Sequence, residues 1–114
     1  MDNLIKLRYV YATEDGYDFD YHNLLEIEKT DWRGYKDGII PVHRNLFTGF
    51  KDKNGKEIYQ GDIVRVNEPF SNNLEVSWFE GGFSLTYRNY SRHFIDVTKM
   101  EVIGNIYENL ELIK

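Results

Sequence analysis

From residue 61 to residue 107 the chain reads as short runs of alternating apolar and polar residues separated by turn signals, the side-chain period of a β-strand. Gly61-Asp62 feeds Ile63-Val64-Arg65-Val66, and after Asn67-Glu68-Pro69-Phe70-Ser71-Asn72-Asn73 comes Leu74-Glu75-Val76-Ser77-Trp78-Phe79. There Leu74, Val76 and Trp78 alternate with Glu75 and Ser77, which predicts one buried face and one wetted face. Glu80-Gly81-Gly82 turns the chain into Phe83-Ser84-Leu85-Thr86-Tyr87 as a hairpin, and the alternation sends Trp78, Phe83 and Tyr87 together into the core. A closing strand over residues 101–107 carries Gly104, and a mid-strand glycine marks a bulge or a close backbone approach. Upstream, Phe47-Thr48-Gly49-Phe50 and Ile58-Tyr59 flank Lys51-Asp52-Lys53-Asn54-Gly55-Lys56-Glu57, whose Asn54-Gly55 pair suits the two positive-φ positions of a type I′ turn. Residues 4–11 and 17–25 are further strand candidates, while 96–100 and 109–113 read as isolated helical turns too short to stand alone. The expected fold is mostly β, with a small barrel-like (SH3-like) C-terminal half and an additional N-terminal β-rich segment.

With 114 residues the chain is expected to form one domain, whose core forms without covalent staples because about two-thirds of the extended surface is buried at this size. The absence of cysteine excludes disulfide scaffolds, thiolate zinc sites and cysteine nucleophiles. Nine Tyr, seven Phe and two Trp are too many for a disordered chain. The longest apolar run, Ile39-Ile40-Pro41-Val42, falls far short of the ~20 residues of a spanning helix. Asp2 and the lack of an early apolar block argue against a secretory signal, so the expected location is cytoplasmic, with no membrane association. Fourteen basic against nineteen acidic side chains leave a net charge of −5, which disfavours nucleic acid as a general partner.

Candidate chemistry is sparse. His22, His43 and His93 lack the i,i+4 spacing of a helical metal site. Glu14, Asp15, Asp18 and Asp20 contain Asp-x-Asp without the correctly placed glycine and distal glutamate of a calcium loop, so a solvated turn is the better reading. No glycine-rich phosphate loop and no nucleophile elbow occurs. No catalytic, cofactor-binding or metal-ligating residue is therefore assigned, and the expected role is a non-enzymatic interaction module with a protein partner. The rival reading is a small barrel that binds single-stranded nucleic acid through Phe79, Arg88, Tyr90 and Arg92, the aromatic and cationic residues near the hairpin that alternation leaves on the surface. Lys51, Lys53 and Lys56 are interrupted by Asp52 and Glu57, so they read as a soluble loop and not as a phosphate contact. The aromatic content together with uncovered strand edges predicts a homo-oligomer.

Three blocks in order resemble the YopX family of phage and prophage proteins: the stretch from Leu46-Phe47-Thr48-Gly49-Phe50 through Gln60-Gly61-Asp62-Ile63-Val64, then Phe79-Glu80-Gly81-Gly82-Phe83, then Glu101-Val102-Ile103-Gly104-Asn105-Ile106-Tyr107-Glu108-Asn109. They span about residues 43–112; this chain departs from the family's usual Asn-Pro-Glu-Leu ending with Asn109-Leu110-Glu111-Leu112. The resemblance implies a small, mostly β protein of a Gram-positive phage or prophage whose biochemical role is unknown, and it supplies no catalytic residues. The residues themselves suggest structural duties: Gly49, Gly55 and Gly61 as turn formers, Asp62 bonding the backbone at a strand entry, and Gly104 as a strand irregularity.

Overall fold

A computed structural model of the chain describes residues 6–23, 41–66, 72–79, 82–87, 90–93 and 96–113. Nine strands occur among them: β1 Lys6–Thr13, β2 Gly16–Asn23, β3 His43–Lys51, β4 Glu57–Tyr59, β5 Asp62–Val66, β6 Asn72–Phe79, β7 Gly82–Tyr87, β8 Tyr90–His93 and β9 Met100–Asn105. They form two antiparallel sheets, ordered β2-β1-β3-β4 and β8-β7-β6-β5-β9, one of them a half-barrel. Short 3-10 turns cover Val97–Lys99 and Leu110–Ile113, as the sequence suggested. The chain is therefore mostly β, and its residues group into two compact units, Met1–Phe47 and Thr48–Lys114.

In the first unit β1 and β2 pair along their whole length, from Lys6 opposite Asn23 to Thr13 opposite Gly16, so the acids Glu14 and Asp15 form an exposed two-residue turn. Gly16 follows at φ +141°, a conformation that glycine adopts freely. Tyr9, Val10 and Tyr11 are buried in succession on β1. The Arg8 guanidinium lies over the Phe19 ring, 5.4 Å from its centroid, and its Nε donates to Asn45 Oδ1 at 2.9 Å. Burial, then the charge of Asp20 and the neighbouring Tyr9, raise the Tyr11 hydroxyl above its ordinary pKa against the opposing charge of Arg44.

The second unit is organised around β5, the strand between β6 and β9. Ile63, Val64 and Val66 have no exposed surface, which is why this run is β-branched almost throughout: such side chains fit a pleated surface covered on both faces. Ile58, Val64, Val66, Leu74, Val76, Leu85 and Met100 form its core, with Phe83, Tyr87, Val97 and Val102 partly buried against it. Each fully buried aliphatic side chain contributes about 1.5–3 kcal/mol.

Two turns set the frame of this unit. The β3–β4 turn is built around Asp52, which is 6% exposed. Its Oδ1 accepts from Asn54 N at 2.8 Å and Lys56 N at 2.9 Å, and its Oδ2 accepts from Val102 N of β9 at 2.8 Å. Gly55 N donates to Asp52 O at 3.0 Å with Gly55 at φ +84°, so Lys53 and Asn54 occupy the turn centre. This differs from the type I′ turn centred on Asn54-Gly55, and the reason is the Asp52 carboxylate, which captures the Lys56 N–H that such a turn would use. At the entry to β5, Asp62 Oδ2 accepts from Tyr59 N at 2.8 Å, and Gly61 takes φ +93°.

Gly104 lies beside a bulge, as a mid-strand glycine suggests, and the close neighbour it accommodates is a side chain and not a backbone. The β5–β9 register passes from Ile63 opposite Gly104 to Val64 opposite Val102, leaving Ile103 as the extra residue of a bulge. The Asn109 side chain folds back against Gly104, so a Cβ there would lie 2.5 Å from Asn109 Oδ1. That same oxygen accepts from Asn105 N at 3.1 Å, while Asn105 Oδ1 accepts from Tyr107 N and Glu108 N.

Candidate interaction surface

The end of the β6–β7 hairpin corrects one expectation. Trp78 is 52% exposed, whereas Leu74 and Val76, its alternation partners, are buried; Phe83 and Tyr87 are partly buried. The cause is a mismatch in strand length. The β5–β6 ladder ends with Ile63 opposite Glu75, and Gly61 N reaches Val76 O at 2.8 Å as a last bond. Trp78 lies past that point, opposite Phe83 on β7. Among the described residues it keeps the Phe83 ring as a neighbour, edge-on at 5.0 Å between centroids and 86° between planes. The core side of the hairpin thus ends in an indole that is half in water, an arrangement enriched at interface centres because indole offers a large rigid contact area with one polar edge.

The four residues assigned from sequence are distributed differently. Phe79 stands opposite Gly82 at the end of β6. On β8, Arg92 stands opposite Leu85, and Tyr90 opposite Tyr87. Arg88 lies outside the described residues, as do the Glu80-Gly81 part of the hairpin turn and the loop containing Pro69. By backbone alternation, positions 90 and 92 fall on the ladder side of Leu85 and Tyr87, and position 79 on the other. Two further aromatics of the sequence are accounted for: Tyr59 is buried at 2% exposure and gives its hydroxyl to Glu57 Oε1 at 3.0 Å, and Tyr87 packs against the core.

Apart from position 79, the other ladder side of this hairpin is polar. Ser77 Oγ lies 3.4 Å from Thr86 Oγ1, and the carboxyl of Glu75, which stands opposite Thr86, is raised from its ordinary value by burial. His22 meets Tyr9 edge-on at 5.6 Å, His43 is exposed, and among the described residues no three His, Asp or Glu converge as a metal site. Asp96 lies below its ordinary value because the Thr98 hydroxyl and backbone N–H donate to it, the local cap of a 3-10 turn. What sequence reasoning missed was Trp78. The available signal was the unequal length of Ile63-Val64-Arg65-Val66 and Leu74-Glu75-Val76-Ser77-Trp78-Phe79, since a longer strand must overhang a shorter neighbour.

Comparison with known proteins adds two findings to this geometry. A solved crystal structure of the protein EF1440 from Enterococcus faecalis is similar with a TM-score of 0.51 and 24% identity, over 94% of this chain and 75% of that one, which shows a shared fold. Comparison with curated proteins gave no match. The family described as "YopX protein" matches residues 8–114, which takes in the Asp52 turn, the β6–β7 hairpin and the Gly104 bulge and also reaches upstream of the three sequence blocks into β1 and β2. The chain belongs to the YopX family.

Proposed function

We propose that this protein is a non-enzymatic interaction module, phage- or prophage-encoded and acting in the cytoplasm, whose second unit engages a protein partner through the aromatic end of the β6–β7 hairpin. The observation that carries this reading is Trp78, 52% exposed on the core side of the sheet and braced by Phe83. The five-stranded antiparallel order β8-β7-β6-β5-β9 supports an SH3-like reading of residues 61–107, an architecture that serves mainly binding, although fold alone assigns no function. The test is co-purification from infected or lysogenic cells with the wild-type chain and with Trp78→Ala in parallel. A specific macromolecule held by the wild type and released by the variant is expected. Retention by both, or turnover of a small molecule by the purified chain, overturns the reading.

A further inference from the structure

In sequence Lys51, Lys53 and Lys56 are diluted by Asp52 and Glu57, but in the fold Asp52 is buried and Glu57 is half-buried. Asp52 is turned inward at 6% exposure, both of its oxygens occupied by the backbone N–H groups of Asn54, Lys56 and Val102. Glu57 is half-buried and accepts the Tyr59 hydroxyl at 3.0 Å. The three lysines stay exposed, with the uncharged and exposed Asn54 and Gly55 at the tip, and Phe50, which precedes Lys51 on β3, is 50% exposed. Lys53 approaches Glu101 only to 3.9 Å, with the side chains 40% and 35% exposed, a pair that salt screens and that contributes little. The β3–β4 hairpin therefore displays three exposed lysines within six residues and an exposed aromatic residue next to them in sequence, on a chain of net charge −5.

We propose that this hairpin docks single-stranded nucleic acid, with Phe50 offering its ring to an unpaired base and Lys51, Lys53 and Lys56 contacting phosphates. The site shares no residue with the Trp78 surface and goes beyond the reading proposed for it. A duplex keeps its bases stacked and out of reach of Phe50, and an anionic bilayer would gain a single ring here, so both serve as arms of the test. Fluorescence anisotropy of a labelled oligothymidine is measured across salt concentrations, beside the same length of duplex and vesicles containing phosphatidylserine. Three phosphate contacts at about 0.7 each for a single strand give a slope of log affinity on log salt of about −2, so a tenfold rise in salt weakens binding about 100-fold. The combined Lys51→Gln, Lys53→Gln and Lys56→Gln variant, with an unchanged circular dichroism spectrum, is expected to bind at least about tenfold more weakly at low salt and to lose most of that slope. Phe50→Ala is expected to weaken binding while keeping the slope, because stacking releases no counterions. Trp78→Ala is expected to bind oligothymidine as the wild type does, which separates failure here from failure of the partner reading. The proposal is overturned by no binding at low salt, by a lysine variant with wild-type affinity and slope, or by duplex or vesicle binding as tight as that of the single strand.

Discussion

Asp52 shows how one residue both shapes a turn and joins it to a distant strand. Burial alone would raise its carboxyl, but the N–H groups of Val102, Lys56 and Asn54, with the charge of Lys56, outweigh burial and hold it below the ordinary aspartate value. A folded-state pKa below the unfolded one means that the stabilisation is complete above the unfolded value, about 3.9, and is lost as pH falls through the folded one. Urea unfolding from neutral to acid pH is therefore expected to show the wild type weakening below about pH 4, and Asp52→Asn is expected to flatten that part of the profile. The same variant is expected to cost about 1–3 kcal/mol at neutral pH, because backbone donors lose a charged acceptor. An unchanged acid profile would show that Asp52 is not the group responsible. Gly104 has a steric role instead: an added Cβ would lie 2.5 Å from Asn109 Oδ1 and 2.8 Å from Asn109 Cβ. Asn109 cannot retreat without giving up its bond from Asn105 N, so Gly104→Ala is expected to cost about 1–3 kcal/mol. Adding Asn109→Gly removes the clash and should recover part of that loss, a non-additivity that a double-mutant cycle measures.

Among the elements of the second unit, β5 and β8 mark the two extremes of stability. Hydrogen exchange is expected to find the amides of Ile63, Val64 and Val66 the slowest, opening only with global unfolding, because they lie on the strand between β6 and β9 and have no exposed surface. The outermost strand β8, four residues long, should exchange fastest among the strands of that sheet, and equal protection of both would contradict this reading of the core. These elements were largely legible in the sequence, since period-2 alternation reports a half-buried strand and Gly55 and Gly61 adopt the positive φ that turns demand, whereas Gly49, expected to form a turn, takes its positive φ inside β3. Asp62 and Gly104 also took the local duties their positions suggested, because those duties depend on residues close by in sequence or on the ladder. The turn centre was not legible, because Asp52 is held by Val102, fifty residues downstream, and no local pattern records such a partner. For the same reason the lysine hairpin read as mixed charge, although its acid points inward. Trp78 was misplaced because alternation gives the side of a sheet and says nothing about whether the neighbouring strand extends far enough to cover it.

At the scale of the whole molecule, strand edges and exposed aromatic side chains are the two surfaces through which copies could meet. The predicted homo-oligomer rested on uncovered edges and on aromatic content, and these two grounds now separate. At the β9 edge, Met100 O accepts from Lys53 N at 3.0 Å and Val102 N donates to Asp52 Oδ2 at 2.8 Å, so the β3–β4 turn occupies the groups that a second chain would need there. The exposed aromatics remain: Tyr17, Tyr21, Phe50 and Trp78 each leave more than a third of their surface in water. We therefore propose self-association through aromatic side chains and not through β9. A net charge of −5 on every copy opposes it, and salt screens that repulsion, so association should strengthen with salt. Light scattering over a range of concentrations is expected to give masses rising above 13.6 kDa, more steeply at high salt, with Trp78→Ala returning the chain toward the monomer. Asp52→Asn, by loosening the turn that covers β9, should instead favour larger and less defined aggregates. A mass held at 13.6 kDa at every concentration and salt would mean that one chain satisfies its own aromatics, and the proposal of self-association would then fall.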